Sequence, residues 1–299
     1  MDKIKYNFFP GCYIPARYPG FEVSTREVLK RLNVELAEQD FSCCPPTTNV
    51  KLVNYDTWLA LAARNLCLAE KEGLDIISMC NGCTASLKEA NQILKDKPGQ
   101  RRKINRILKE FGYKFEGNIE VSHVAAMLHR NIGTEAIREL VVRPLKGVRI
   151  SAHYGCHYFR PPRVMFPHLL SPADSYVPVG LDKIMEALGA EPVEYSRKFL
   201  CCGSVLGTNI GGDEAYGVVW EKLGYMAERE VEAIVTPCGS CFNQFEMGQV
   251  MAKRRKKIKY NIPVFYITEL IALAFGLDPE EIGLTEHTIK TRKFLDKVL

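Results

Sequence analysis

The sequence predicts an α/β fold made of two pseudo-symmetric repeats, each a small, mainly parallel sheet with flanking helices. Two observations support this prediction. Ten of the eleven cysteines form one pattern that is written twice, and apolar stretches of strand length alternate with helical patterns in both halves. We place the repeats at residues 1–145 and 146–299, with the boundary close to the segment 144–147.

The repeated pattern consists of a single cysteine, an adjacent pair and a CxxC motif. The two copies hold Cys12, Cys43, Cys44, Cys80 and Cys83, and Cys156, Cys201, Cys202, Cys238 and Cys241. The pair and the CxxC motif are separated by 35 residues in each copy, 45–79 and 203–237. This equality indicates a duplicated metal-binding unit, and only Cys67 is left over.

The first repeat begins with an apolar stretch at residues 6–9, which predicts a strand that leads into Cys12. A helix follows, and Ser24 and Glu27 predict a capping box at its start. A second helix is predicted by apolar residues at near-helical spacing, ended by a glycine: Trp58, Leu61, Leu66, Ala69 and Gly73. Strands are then predicted at residues 74–78 and 119–122.

The second repeat shows the same succession. Residues 148–154 predict the strand before Cys156, and residues 184–188 predict the next helix. The second helical stripe has four members: Trp220, Leu223, Ala227 and Val231. Strands are predicted at residues 233–236 and 262–266, so both halves alternate strands with helices in the same order.

Each CxxC motif lies where a strand ends and a helix begins. The carboxyl ends of parallel strands are where α/β proteins gather their ligands, and a helix N-terminus stabilises thiolates. We expect Gly82 and Gly239, inside the two motifs, to let the backbone approach sulfur. Together these features predict a metal centre in each repeat.

Five cysteines per copy leave the kind of centre open. Four thiolates saturate a zinc ion or a cubane iron–sulfur cluster, so the fifth implies a spare ligand, a bridging thiolate or a larger cluster. The main alternative is a zinc site with four cysteine ligands. Another is that each adjacent cysteine pair forms a vicinal disulfide or is simply two buried apolar thiols. Cys67 sits at a helical position between two leucines, which predicts a core thiol rather than a ligand.

Composition narrows the class of protein. The chain carries 46% hydrophobic and 25% charged residues and a net charge of +5, values typical of a globular protein. The basic run at 253–257 has no interleaved aromatic residues, so we interpret it as a solvated face and expect no nucleic-acid partner. The apolar run at 270–275 is too short to span a membrane. With no apolar leader after Met1, we expect a cytoplasmic protein with reduced thiols.

Nucleotide-binding and zinc-protease motifs are missing from the sequence, so we expect the chain to bind neither flavin nor nicotinamide. If it carries out redox chemistry, its electrons come one at a time from a partner. Two histidines lie beside Cys156. His153 and His157 could donate protons or adjust the properties of a metal centre, or could be ordinary hydrogen-bonded residues.

The duplicated cysteine pattern resembles the CCG domain that occurs twice in the B subunit of heterodisulfide reductase. The resemblance covers the full length and includes the residues around Cys12, both cysteine pairs and both CxxC motifs. It implies two noncubane [4Fe–4S] clusters, each held by the five cysteines of one copy. It also implies reduction of the coenzyme M–coenzyme B heterodisulfide to two thiols. Because the chain is duplicated, we expect each cluster to handle one sulfur.

The resemblance further implies partners. These are the ferredoxin-like subunit and the flavin-containing subunit of heterodisulfide reductase, with a hydrogenase or formate dehydrogenase. The complete complex would carry out electron bifurcation in methanogenesis. Since both coenzymes carry anionic groups, Arg17 and Arg160 are candidate substrate-binding residues. Pro45 replaces the glycine of the motif in the first copy, and 44 residues separate Cys156 from Cys201 where 30 separate Cys12 from Cys43. Two alternative functions stay open: an electron-transfer subunit of another, quinone- or disulfide-linked oxidoreductase, and a zinc-stapled interaction module.

Overall fold

The computed structural model describes residues 4–166, 177–209 and 212–299. Its strands form two four-stranded sheets in which every neighbouring pair is parallel. The strands are β1 (Ile4–Phe9), β2 (Val34–Ala37), β3 (Ile76–Ser78), β4 (Val121–His123), β5 (Arg149–Ala152), β6 (Glu191–Pro192), β7 (Ala233–Thr236) and β8 (Val264–Tyr266).

The two sheets have the same strand order, β2-β1-β3-β4 and β6-β5-β7-β8. This order confirms the predicted pair of similar α/β repeats with parallel sheets. Six of the eight strands lie where apolar stretches predicted them. The missed strands are β2, with four residues, and β6, with two, which are too short to show a period along the sequence.

Helices flank both sheets. In chain order they are α1 (Tyr13–Arg17), α2 (Pro19–Arg31), α3 (Val50–Val53), α4 (Tyr55–Glu72), α5 (Asn81–Asp96), α6 (Pro98–Lys109), α7 (Val124–Met127), α8 (Thr134–Glu139), α9 (Pro162–Met165), α10 (Gly180–Ala187), α11 (Ser204–Asn209), α12 (Gly212–Glu228), α13 (Gly239–Met251), α14 (Ile267–Ala274) and α15 (Arg292–Val298). Among the described residues, no helix is both long and apolar enough to cross a bilayer.

The chain forms two compact units, and each unit is discontinuous in sequence. Unit 1 comprises Met1–Cys12, Asn33–Met127 and His157–Val177, and unit 2 comprises Tyr13–Leu32, Leu128–Cys156 and Pro178–Leu299. Each unit contains one of the two sheets and one complete set of five cysteines. The division of the chain at residue 145 stays a prediction.

The core of unit 1 is built on α4. The Asn54 side chain accepts a hydrogen bond from Thr57 N at 2.9 Å, which caps the start of this helix, and Gly73 ends it in the left-handed conformation (φ 64°), as predicted. Trp58 is fully buried, and its indole Nε1 donates to Ser86 Oγ of α5 at 2.9 Å. This bond holds α5, the helix that follows the first CxxC motif, against α4.

Three residues predicted to lie on the apolar faces of α4 and α12 have other environments in the structure. Leu61 is 41% exposed in α4 and Ala227 is exposed in α12, so neither belongs to the buried face of its helix. Val231 lies beyond α12, in the connection that leads into β7. The apolar spacing therefore located both helices but assigned some of their residues to the wrong environment.

The predicted capping box at Ser24 is wrong. Helix α2 begins at Pro19, more than one turn earlier, because proline is well suited to the first helical position. Ser24 is buried inside this helix, where its hydroxyl bonds Phe21 O at 3.1 Å and Thr268 Oγ1 of α14 at 2.9 Å. The side chain thus joins two helices of unit 2 instead of starting one.

Candidate metal centre

The elements that carry the cysteines meet at the carboxyl ends of the parallel strands. Cys12 follows β1, and Cys80 is the residue directly before α5. In unit 2, Cys156 follows β5, and Cys238 is the residue directly before α13. The predicted placement of each CxxC motif at a strand-to-helix junction is therefore confirmed.

The five sulfurs of unit 1 form a connected series. Cys12 Sγ lies 3.9 Å from Cys43 Sγ. Side-chain hydrogen bonds then connect Cys43 to Cys44, Cys44 to Cys83 and Cys83 to Cys80. Cys12 and Cys43 are exposed, whereas Cys44 and Cys83 are buried, so the series runs from the surface into the protein.

The five sulfurs of unit 2 are connected in the same order. Cys156 Sγ lies 4.0 Å from Cys201 Sγ, and Cys202 Sγ lies 3.4 Å from Cys241 Sγ. Hydrogen bonds between Cys201 and Cys202 and between Cys241 and Cys238 complete the series. The structure thus brings all five cysteines of each motif together, including the adjacent pairs. Free thiols, and no disulfide, are present at these positions.

Gly11 allows the backbone of unit 1 to approach a sulfur closely. Its φ of +77° is in the region that favours glycine, and a Cβ at this position would lie 3.1 Å from Cys83 Sγ. By contrast, a Cβ on Gly82 would stand at an ordinary 3.8 Å from Cys80 Sγ, and one on Gly239 would meet Tyr13 and Ile14. The approach of backbone N–H groups to sulfur at the CxxC glycines stays a prediction, and Gly11 is a position outside those motifs where the backbone comes close to a sulfur.

The adjacent cysteine pair is positioned differently in the two units. In unit 2, Gly203 (φ +88°) follows the pair, and its amide donates to Cys201 Sγ at 3.3 Å. A Cβ there would come within 2.6 Å of Ala215 O, so the glycine of the motif is needed for space as well as for conformation. In unit 1 the carbonyl of the equivalent Pro45 accepts a hydrogen bond from Ser86 Oγ at 2.7 Å.

A buried asparagine holds the pair in unit 1. Asn65 Oδ1 accepts from Ser42 N at 2.9 Å, and its Nδ2 donates to Ser42 O and Cys43 O at 3.3 and 3.2 Å. Asn65 is fully buried in α4. We did not predict this residue, although a lone asparagine on the apolar side of a helix was the available signal.

Crowding of the thiols determines their electrostatics. Hydrogen bonding, chiefly from Cys43, lowers the pKa of Cys44 to about 5, and hydrogen bonding, chiefly from Cys156, lowers the pKa of Cys201 to about 2. The same bonds raise the pKa of Cys43 and Cys156, because neighbouring sulfurs cannot all ionise. Deprotonating a whole set therefore requires a cation, which a metal centre supplies.

The donors in each unit fit a thiolate-bound metal centre. Five sulfurs converge in each, a set typical of zinc and of iron–sulfur clusters and unlike the oxygen-rich sites of calcium or magnesium. A zinc ion would use four of them. Cys67 is not part of either set: it lies 2% exposed in the core of unit 1, where burial raises its pKa to about 12.

The predicted histidines have different environments. His153 is fully buried in unit 2, and one of its ring nitrogens lies within 4.8 Å of the sulfurs of Cys202 and Cys241. Burial lowers the pKa of His153 well below its usual value. His157 is half-buried in the short helical turn Cys156–Tyr158.

The two candidate arginines are accessible at the surface. Arg17 ends α1 and lines a cavity of about 330 Å³ in unit 2, whose described lining residues include no cysteine. The guanidinium of Arg160 lies over the Phe159 ring, 4.9 Å from its centroid. Their role in substrate binding stays a prediction.

Comparison with known proteins agrees with the duplicated site. The cysteine-rich domain family, CCG, matches residues 6–88 and 150–246. These two matches contain all ten cysteines of the repeated pattern. A solved structure of a hypothetical protein from Helicobacter pylori has the same fold with a TM-score of 0.74 at 15% identity, covering 97% of this chain and 52% of that one.

Relatives match along nearly the whole chain. The B subunit of the ferredoxin:CoB-CoM heterodisulfide reductase of Methanosarcina mazei is 35% identical, with coverage of 98% of this chain and 97% of the relative. A protein of Methanosarcina acetivorans, named as the B subunit of a ferredoxin/F420H2-dependent CoB-CoM heterodisulfide reductase, is 36% identical with the same coverage. The 8-methylmenaquinol:fumarate reductase membrane anchor subunit of Wolinella succinogenes is 29% identical, covering 97% of this chain and 98% of that one. The chain therefore belongs to the family of heterodisulfide reductase B subunits, which carries two copies of the cysteine-rich domain.

Proposed function

We propose that this chain is the catalytic subunit that reduces the coenzyme M–coenzyme B heterodisulfide, with one noncubane [4Fe–4S] centre on each set of five cysteines. The observation that carries the proposal is that both units connect their five sulfurs in the same order. A four-ligand zinc site would leave one of these sulfurs without a role in each unit. The names of the two Methanosarcina relatives support the choice of substrate.

The reaction consumes two electrons and two protons and converts one disulfide into two thiols. When bound, a pair of iron–sulfur centres would supply single electrons and iron sites with affinity for thiolate. Having two such centres in one chain offers one for each sulfur of the substrate. We therefore expect both units to be needed for turnover.

The residues of the chain have separate tasks in this proposal. The ten repeated cysteines would hold the centres. Gly11 and Gly203 let the backbone beside them pass close to Cys83 and Ala215. Arg17 and Arg160 would bind the anionic ends of the coenzymes. His157, which is half-buried, His153 or water would deliver the protons that free the thiols.

The electrons would come from partner proteins in the cytoplasm. We propose a ferredoxin-like subunit that connects this chain to a flavin-containing subunit, with a hydrogenase or formate dehydrogenase completing an electron-bifurcating complex of methanogenesis. The relatives are named as subunits, which supports an assembly of several chains.

A second candidate is an electron-transfer subunit that acts with a quinone-linked reductase and has no disulfide substrate. It is favoured by the 29% identity to the menaquinol:fumarate reductase anchor subunit, a match that spans nearly all of both chains. The zinc-stapled interaction module is the third candidate and predicts a colourless protein.

Metal analysis and an activity assay test these alternatives. Protein purified without oxygen should contain about eight irons and about eight acid-labile sulfides per chain and should be brown. With an artificial one-electron reductant it should reduce the heterodisulfide to both thiols in equal amounts. Iron-loaded protein that reduces no disulfide would favour the quinone-linked candidate, and stoichiometric zinc without sulfide would favour the interaction module.

A further inference from the structure

The two cysteine sets have different surroundings, and the difference begins three residues before the first cysteine of each. Phe9 occupies this position in unit 1 and His153 occupies it in unit 2. Phe9 is 1% exposed and packs against the ring of Phe41, with 5.0 Å between centroids. Unit 2 therefore has a polar group where unit 1 is apolar.

His153 has one ring nitrogen without a partner. Its Nε2 is buried and has no hydrogen-bond partner among the described residues, while its ring packs edge-on against Phe245 at 4.9 Å. A ring nitrogen of His153 also lies within 4.8 Å of Cys202 Sγ and Cys241 Sγ. A buried nitrogen without a hydrogen bond destabilises the folded chain, so a partner at the cysteine set would remove that penalty.

Tyr195 determines which nitrogen carries the proton. The buried Tyr195 hydroxyl lies 3.3 Å from His153 Nδ1. A buried phenol must donate its proton to an acceptor, and Nδ1 of His153 is within reach. When Nδ1 accepts from Tyr195, the hydrogen of the neutral imidazole is on Nε2, the nitrogen that has no partner among the described residues. The free N–H therefore belongs to the nitrogen that lacks a partner.

A second position shows the same difference between the units, and a third carries a basic residue in both units but is fully buried only in unit 2. Six residues before the cysteine pair, unit 2 has Tyr195 where unit 1 has Ala37, and 20 residues after the pair it has Lys222 where unit 1 has Arg64. Lys222 is fully buried and interacts electrostatically with the cysteines of unit 2. The polar surroundings of the second cysteine set thus come from three separate parts of the chain: the segments after β5 and β6, and helix α12.

We propose that His153 donates a hydrogen bond from Nε2 to a sulfur of the centre in unit 2 and thereby makes the two centres of the chain inequivalent. The inference rests on the proposed iron–sulfur centres. Hydrogen bonds to sulfur stabilise the added negative charge of a reduced cluster, so they raise its reduction potential. His153 acts as a positioning residue: it tunes the centre that the cysteines hold and ligates no metal.

The test is His153→Phe, which gives unit 2 the residue that unit 1 carries. In the holoprotein, a redox titration followed by electron paramagnetic resonance should show one centre shifted to more negative potential and the other unchanged. The deuterium-exchangeable proton coupled to the shifted centre should disappear from its hyperfine spectrum. Iron content should stay at the wild-type value.

Two variants make the result specific. His153→Gln keeps a donor N–H and should restore part of the shift. Tyr195→Phe leaves His153 in place but removes the group that orients its tautomer, so it should reduce the proton coupling. Because this change deletes a single hydroxyl, it tests the inference even if His153→Phe does not fold.

The outcomes separate this inference from the proposed function. The inference would be overturned if both His153→Phe and Tyr195→Phe kept their iron and showed unchanged reduction potentials. It would also be overturned if His153→Phe lost the iron of unit 2 alone, because His153 would then be a ligand. If the wild-type protein contained both centres but reduced no disulfide, the proposed function would be rejected. The inference about His153 would still be tested by the shift in reduction potential in His153→Phe. Wild-type protein without iron would overturn both.

Discussion

Gly11 lies directly against Cys83, at a distance where a single added methyl group would come 3.1 Å from the sulfur. The glycine follows β1, and Cys83 is in the first turn of α5, so this contact joins the two sides of the unit 1 cysteine set. Backbone and sulfur meet here without a side chain between them. The contact makes the geometry of the set sensitive to a residue that is not a ligand.

Gly11→Ala should therefore reduce iron binding in unit 1. The alanine would be strained by about 1–2 kcal/mol at φ +77° and would also press on Cys83. Gly112→Ala is the matched control, since Gly112 has φ +75° in the same unit but no neighbour within 4 Å of the added Cβ. Both variants should lose similar stability in denaturant unfolding, and only Gly11→Ala should lose iron. Equal iron in the two variants would contradict this explanation.

Replacement of individual cysteines should distinguish ligands from the spare thiol. Cys67→Ala should keep the full iron content and lose roughly 1 kcal/mol of stability, because it removes a small buried group from the core of unit 1. Cys44→Ser or Cys202→Ser should each lose about half the iron, since each disturbs one of two centres. Iron loss in Cys67→Ala would show that the assignment of ligands is wrong.

Each unit should be indispensable for disulfide reduction. We expect Cys80→Ser and Cys238→Ser, made separately, to abolish turnover with an artificial reductant while the other centre remains visible by electron paramagnetic resonance. The physical reason is that one centre supplies one electron and holds one sulfur. Cys67→Ser, treated in the same way, should remain active. Substantial turnover in either ligand variant after loss of its centre would support a simple electron relay.

The two arginines should affect substrate affinity more than the rate of the bound complex. Arg17→Gln and Arg160→Gln each remove a charge that would pair with sulfonate, phosphate or carboxylate, an interaction worth about 1–3 kcal/mol. We expect KM for the heterodisulfide to rise about 5- to 100-fold with kcat nearly unchanged. An unchanged KM in the double variant would reject both residues as binding groups.

Stability should fall as pH rises through the titration of a buried pair in unit 2. His287 Nε2 lies 3.0 Å from Glu269 Oε1. Burial alone would lower the pKa of His287, but the Glu269 carboxylate raises it, and burial raises the pKa of Glu269. The folded protein therefore binds this proton more tightly than the unfolded chain does. The contribution of His287 to the free energy of unfolding is complete below its unfolded pKa of about 6.5 and is lost above its folded pKa. Urea unfolding from about pH 6 to about pH 9 should show this decline, and His287→Gln should flatten it; an identical slope in the variant would contradict the assignment.

The spacing of the cysteines was sufficient to predict the repeat and the grouping of five thiols, and the apolar patterns beside the CxxC motifs predicted both strand-to-helix junctions. This worked because strands, helices and CxxC turns are local features that a short stretch of chain can specify. Gly73 is a similar case: a glycine after an apolar helix ends it in the left-handed conformation. Ser24 shows the limit, since an equally plausible local motif was overruled by Pro19 and by packing against Thr268.

Only the tertiary structure determined which distant residues surround the sulfurs. Gly11 and Cys83 are 72 positions apart, and His153 and Tyr195 are 42 apart, so no local pattern connects them. The discontinuous units likewise depend on contacts that form only when the chain is compact. The sequence by itself determined the ten sulfur donors and their duplication, because covalent order carries that information. The folded chain decided the space, burial and hydrogen bonds around each set, because these depend on which surfaces exclude water together.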